Sequence, residues 1–124
     1  SSDLFPYAPI HATLIKKAIE NGLQPSRDSS FVGHRISDYV PRPGDFLCAT
    51  RLWANDEVTY DNARDYEFFP ARCELVIESS DHHIDVIGGD RMGSVVRERI
   101  KTVNGKIPSE AGKNWLVIVE TNLN

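Results

Sequence analysis

Apolar residues recur at helical spacing in one stretch near the start of the chain, whereas residues after 40 form short apolar runs separated by turn residues. A helix this short is stable only when its apolar stripe is buried against another element. We therefore expect an α+β fold in which one helix packs on a β-sheet. The predicted stripe consists of Ile10, Leu14, Ile15, Ala18 and Ile19.

The ends of this helix carry residues that favour helix termini. Pro9 suits the first helical position, because a backbone N–H is not needed there. Asn21-Gly22 is typical of a left-handed stop. The helix is thus predicted to begin at Pro9 and to end at Asn21-Gly22.

Five strands are predicted in the remainder, at residues 45–52, 73–78, 83–87, 94–103 and 115–120. The last is apolar enough for the centre of a sheet, and Asn104-Gly105 is a strong hairpin signal. The polar stretch 53–70 is interpreted as an exposed loop. At 124 residues, with no sign of a boundary, the chain is expected to form a single domain, 1–124, with an antiparallel sheet of about five strands.

Charge and composition exclude several classes of partner. The formal net charge is −4 and the basic residues are scattered, which argues against phosphate-backbone recognition and predicts no nucleic-acid partner. No apolar run approaches the roughly 18 residues of a membrane helix, so no membrane span is expected. No cofactor is predicted, and no metal site, because the adjacent His82 and His83 would point to opposite faces of a strand.

Four short motifs follow one another in a recognisable order. They are Tyr7-Ala8-Pro9-Ile10-His11-Ala12, Pro43-Gly44-Asp45-Phe46-Leu47-Cys48, Phe69-Pro70-Ala71-Arg72-Cys73-Glu74-Leu75-Val76 and Ile87-Gly88-Gly89-Asp90. In this order they resemble a bacterial family of unknown function within the papain-like CHAP and NlpC group of cell-wall hydrolases. The resemblance extends from about Phe5 to Val119 and implies the β-sheet half of a papain-like fold.

The resemblance also implies where catalytic residues would lie. The nucleophile is expected on a helix upstream of this region, so the chain is predicted to lack that helix. The catalytic histidine corresponds to Arg72, and the polar residue that orients it corresponds to Asp90. A guanidinium stays protonated and has no lone pair, so Arg72 cannot act as a general base.

Cys48 and Cys73 allow three interpretations. A thiolate nucleophile requires a neighbouring base or a helix N-terminus, whereas both residues are predicted within strands. Buried free thiols and a disulfide remain equally open. A bridge would close 25 residues and contribute about 3 kcal/mol. It would also favour an oxidising, extracytoplasmic location, periplasmic or secreted.

The remaining polar candidates have structural alternatives. His11 either contacts substrate or makes a local hydrogen bond at the start of the helix, and His34 is expected at the surface. Asp45 is expected to stabilise its turn. Asp90 would orient a histidine if one stood in place of Arg72, and is alternatively expected to form an ion pair with Arg72 across the former cleft. Arg91, Arg97 and Arg99, with Arg72, form either a basic strip or a solvated strand face.

Two functions follow as hypotheses. In the first, the chain is part of, or a divergent relative of, a peptidoglycan amidase or peptidase. It is then inactive alone, and its nucleophile comes from an upstream processed chain of the same precursor. In the second, the domain is a non-catalytic binding or regulatory module that keeps the groove of the hydrolase fold. Arg72 then holds an anionic group of a peptide or of peptidoglycan.

Overall fold

A computed structural model describes residues 9–24, 30–50, 58–67, 69–89, 93–108 and 115–122. Within these residues, one α-helix and six strands make an α+β fold, as predicted. These elements are α1 (Pro9–Leu23), β1 (Phe31–His34), β2 (Phe46–Thr50), β3 (Ala71–Ser79), β4 (His83–Gly89), β5 (Val95–Lys101) and β6 (Trp115–Thr121). Among the described residues, no helix is long and apolar enough to cross a lipid bilayer.

The six strands form one antiparallel sheet in the order β1-β6-β2-β3-β4-β5. The prediction of about five strands was low by one, because β1 is only four residues long and contains Gly33. β1 is paired with β6, which lies far away in the sequence: Phe31 is opposite Thr121. The predicted interior position of the last strand is confirmed, since β6 is paired with β1 and β2.

One side of the sheet, here called the helix face, is covered by α1. Ile15, Ala18 and Ile19 of the predicted stripe are completely buried there. Burial of an isoleucine side chain contributes about 1.5–3 kcal/mol, so this stripe holds the helix in place. The core on this face also includes Cys48, Phe69, Ala71, Leu116, Val117 and Val119.

Two glycines allow α1 to approach β1 at backbone distance. A Cβ on Gly22 would lie 2.3 Å from the carbonyl oxygen of Gly33, and a Cβ on Gly33 would lie 2.9 Å from the carbonyl carbon of Ala18. The predicted left-handed stop at Gly22 was wrong, because Gly22 lies within the helix and has no positive φ. Gly22 is required for close packing instead. Beside it, Asn21 Nδ2 donates to the carbonyl of Phe31 at 2.8 Å.

The opposite side of the sheet, here called the far face, has its own apolar core. Its buried members are Leu47, Val76, Ile84, Val86, Ile100, Ile107 and Ile118. The side chains of Ile36, Tyr39 and Trp115 pack against this cluster. Apolar residues alternate between the two faces along the strands, as expected for a sheet covered on both sides.

The connections agree only partly with the sequence. Asn104 and Gly105 both have positive φ, and Val103 is bridged to Lys106, so the predicted tight turn is confirmed. The interpretation of residues 53–70 as an exposed loop is only partly correct for the described part, in which Thr59, Asp61, Arg64, Asp65 and Glu67 are exposed but three apolar residues are not. Val58, Ala63 and Phe69 are buried in the core of the helix face, because three apolar side chains within a polar stretch suffice to anchor it.

Candidate functional site

Arg72 is the second residue of β3 and lies on the far face of the sheet. It is paired with Ala49 of β2, and strand alternation places it on the same side as Val76. Its Nη1 lies 3.3 Å from Oε1 of Glu74, and a quarter of the Arg72 side chain is exposed. Arg72 is thus an anchored cation that still presents N–H donors to solvent.

The Glu74 carboxylate beneath it is buried, with a side chain that is only 7% exposed. Glu74 extends over β4 at Gly88, where an added Cβ would lie 2.8 Å from Cγ of Glu74 and 3.1 Å from Oε2. The glycine therefore makes room for the acid. A buried carboxylate requires a compensating partner, and the Arg72 guanidinium provides a positive charge.

Asp90, the other residue at a family-equivalent catalytic position, lies outside the described residues. Its predicted ion pair with Arg72, like its role in orienting a histidine, stays a prediction. In the described part of the chain, the ion-pair partner of Arg72 is Glu74.

Cys48 and Cys73 form a disulfide between β2 and β3, with their Sγ atoms 2.06 Å apart. The two residues are directly opposite each other in the register of these strands. The bridged alternative is confirmed, and no free thiol exists among the described residues. Neither cysteine is available as a nucleophile, because a disulfide sulfur does not ionise.

His11 joins α1 to the same strand pair. Its Nδ1 accepts a hydrogen bond from the backbone N–H of Cys73 at 3.2 Å. This bond joins residues 62 positions apart in the chain. The local hydrogen bond expected at the start of the helix stays a prediction. With Nδ1 accepting this bond, the imidazole links the helix to β3. A role in substrate contact stays a prediction.

Asp45 stabilises its turn, as predicted, and does so from a buried position with 1% exposure. Its carboxylate accepts hydrogen bonds from the backbone N–H of Arg42, the hydroxyl of Tyr39 and the backbone N–H of Thr121. These bonds fix the 41–44 turn against β6. Burial, followed by the bond to Asp45, raises the pKa of the Tyr39 phenol well above its usual value.

A comparison with known proteins decides the family. The family described as "Uncharacterized protein conserved in bacteria (DUF2272)" matches residues 1–119. The chain belongs to this family. The expected kinship with a bacterial family of unknown function is therefore confirmed, and all four motifs lie within the match. No curated protein and no solved structure matches the chain, so its place among CHAP and NlpC hydrolases stays a prediction.

This DUF2272 chain also contains a polar cluster around His34 that the sequence did not predict. His34 was expected at the surface, but its side chain is only 28% exposed and its Nε2 lies 2.8 Å from Oε1 of Glu120. The imidazole stacks on Tyr39 with ring centroids 4.1 Å apart, and Arg42 pairs with the other Glu120 oxygen at 3.1 Å. No local signal predicts this cluster, because Glu120 lies 86 residues from His34.

A second unpredicted cluster lies on the helix face where β4 meets β5. Asp85 is 2% exposed and accepts hydrogen bonds from Arg97 and Arg99, at distances from 2.6 to 3.2 Å. The bonds from Arg99 and then Arg97 hold the pKa of the Asp85 carboxyl well below its usual range, against the opposing effect of burial. Of the two alternatives for the arginines, a basic strip does not include Arg72, which lies on the opposite face, and Arg91 lies outside the described residues. Arg97 and Arg99 lie on one face, and their side chains are 55% and 62% exposed.

This cluster is suited neither to metal binding nor to hydrolysis. Ligand atoms of Glu78, His83 and Asp85 lie within 4.8 Å of one another, but two arginines already neutralise the carboxylates. Ser80 Oγ lies 3.3 Å from Nδ1 of His83, which resembles a nucleophile beside a base. The same Oγ accepts the backbone N–H groups of His82 and His83, so it stabilises the turn between β3 and β4.

Proposed function

We propose that this chain is a papain-like, CHAP/NlpC-type domain that lacks hydrolase activity of its own and binds peptides of the bacterial cell wall. The observation that carries the proposal is the Arg72–Glu74 ion pair, at the position where the resemblance puts the catalytic histidine. A guanidinium holds a carboxylate through two parallel hydrogen bonds but does not transfer a proton. Arg72 therefore suits recognition of an anionic group better than catalysis.

The other candidate groups support a binding role. Both cysteines are in a disulfide, His11 Nδ1 is engaged by Cys73, and Ser80 belongs to a turn. These contacts give both cysteines, His11 and Ser80 structural roles, whereas a catalytic nucleophile must be free to attack its substrate. A helix packed on an antiparallel sheet supports the papain-like assignment, and the disulfide is compatible with an extracytoplasmic location.

Binding of peptidoglycan peptides with free carboxylates, measured by isothermal titration calorimetry, tests the proposal. The comparison ligands are the same peptides with their carboxylates converted to amides. We expect the acids to bind at least about tenfold more tightly, since a charge-assisted pair with Arg72 is lost in the amides.

The variant for this test must not remove the positive charge of Arg72 while the buried Glu74 keeps its negative charge. Removal of Arg72 alone takes a positive charge away from the buried Glu74 carboxylate and destabilises the fold. We therefore choose the double change Arg72→Gln and Glu74→Gln, which removes both charges and keeps hydrogen-bonding groups. The preference for acids should disappear in this variant. Arg64→Gln, the same change at an exposed arginine, is the matched control and should keep the preference.

Two results would contradict the proposal. One is the release of soluble fragments when the wild-type chain is incubated with purified peptidoglycan, because the domain would then be an enzyme. The other is equal affinity for acids and amides, or an unchanged preference in the double variant.

A further inference from the structure

The outer edge of β5 is the longest unpaired strand edge in the described part of the chain. β5 is the last strand in the sheet order and is paired along all seven of its residues with β4. Alternate N–H and C=O groups of such a strand point away from the sheet and are available to a further strand. The other edge strand, β1, has only four residues, and its Gly33 lies against the backbone of α1.

The side chains beside this edge are unusually open for a strand. Val95 is 76% exposed and Val96 is 44% exposed, although both are apolar. They lie on opposite faces of the sheet, because successive strand residues alternate. An added strand would lie beside both valines at once, whereas a ligand on a single face would reach only one of them.

Charge along the edge selects its partner. Arg97, Arg99 and Lys101 lie on the helix face of β5, and the Arg97 and Arg99 side chains are 55% and 62% exposed. Asp85 and Glu78 of the neighbouring strands balance two of these three cations. On the helix face one positive charge remains in excess, and the arginine side chains are exposed to an approaching strand. Glu98, the one acid of β5, lies on the far face.

A second copy of the chain is a poor partner for this edge. Suppose that the β5 strands of two copies paired antiparallel and continued one sheet. The helix face of one copy would then continue the helix face of the other, because side chains alternate between the faces in both strands. Arg97, Arg99 and Lys101 would then lie opposite cations or Val95 of the other copy. Like charges directly opposite each other destabilise a strand pair.

From the open edge, the two exposed valines and the row of cations, we infer that β5 binds an extended acidic peptide segment of another protein. The segment adds a seventh strand next to β5, in the mode of β-strand addition. Its acidic side chains alternate with apolar ones, so that acids face Arg97, Arg99 and Lys101 while apolar residues cover Val96. This surface is separate from the Arg72 site, so neither proposal depends on the other.

Three synthetic probes test this inference. The first is a seven-residue peptide of alternating valine and aspartate, capped at both ends and labelled with a dye. The second replaces every aspartate with lysine. The third is the acidic peptide with alternate backbone nitrogens methylated, which removes N–H donors along one edge. Fluorescence anisotropy reports binding, and the amide NMR signals of residues 95–101 report its position.

We expect the acidic peptide to bind at least about tenfold more tightly than the lysine peptide, and the methylated peptide to lose that binding. The variant Lys101→Glu should weaken binding of the acidic peptide several-fold, because one facing cation becomes an anion. Lys101 is exposed, so the change leaves the core intact. Lys106→Glu, the same change at an exposed lysine in the tight turn, is the control and should have no effect.

Several outcomes would overturn the inference. Equal affinity for the acidic and lysine peptides removes the role of charge. Full binding of the methylated peptide removes the role of the strand edge. Shifts of the 95–101 amides with protein concentration alone identify the occupant as a second copy of the chain instead.

Discussion

Two parts of the same sheet face are stabilised by different interactions. Under α1, the face buries Ile15 and Ile19 completely and contains the Cys48–Cys73 disulfide. Beyond the helix, β4 and β5 join across this face through Asp85 and two exposed arginines. Apolar burial and a covalent bond are nearly independent of pH and salt, whereas ion pairs are not. The two parts should therefore respond differently to solution conditions.

The largest effect is expected from a cavity under the helix. Ile15→Ala should lower the free energy of unfolding by about 2–5 kcal/mol, because a completely buried side chain is truncated. Urea denaturation followed by circular dichroism measures this loss. Leu23→Ala, at a half-exposed position in the last turn of α1, is the control and should cost under about 1 kcal/mol. Similar losses in both variants would show that α1 is not held by its apolar stripe.

Removal of the disulfide should have the next largest effect. The double change Cys48→Ala and Cys73→Ala should reduce the free energy of unfolding by about 2–4 kcal/mol, since the unfolded chain loses a cross-link that closes 25 residues. Reduction of the wild type with dithiothreitol should lower it to a similar degree. A loss that depends strongly on salt would contradict the view that apolar burial and the disulfide, and not ion pairs, stabilise the part of the face under α1.

The smallest effect is expected at Asp85, and it should depend on pH. Its folded pKa lies below the unfolded value of about 4, owing first to the hydrogen bond from Arg99 and then to that from Arg97. The stabilisation is therefore complete above about pH 4 and is lost as the pH falls through the folded pKa. Asp85→Asn should show a flatter decline of stability in this acidic range than the wild type.

The control for Asp85 is an ion pair outside the cluster. Lys17 and Glu20 lie 3.3 Å apart on α1, and both are more than half exposed. Lys17→Gln should change stability by less than about 0.5 kcal/mol. If Asp85→Asn and Lys17→Gln gave the same acid profile, the outer part of the sheet would not depend on its arginines.

The features that the sequence predicted are those set by local rules. The apolar stripe of α1, the turn at Asn104-Gly105 and the role of Asp45 follow from spacing and from side-chain chemistry within a few residues. The resemblance located Arg72 at a family-equivalent position, and the disulfide was one of the alternatives that the spacing allowed. Each of these needed no knowledge of distant contacts.

The features that were missed depend on pairs far apart in the chain. β1 is too short to show a period and is defined by β6, and His34 meets Glu120 only because those strands pair. Asp85 is a polar residue within the predicted apolar strand 83–87, and only the register of β4 and β5 places it opposite Arg99. Long-range register cannot be derived from one sequence. Glu74, the partner of Arg72, is an exception, because it lies two residues away on the same face of β3 and strand alternation alone indicates the pair.

The contact between Gly22 and Gly33 makes the distance from helix to sheet a fixed dimension of this fold. The absence of side chains at these two positions allows the backbones of α1 and β1 to approach this closely. Residues of the apolar stripe can therefore be exchanged for others of similar size without displacing α1. A single methyl group at either glycine would force the helix away from β1, so any protein engineer who repacks this core has to begin from these two positions.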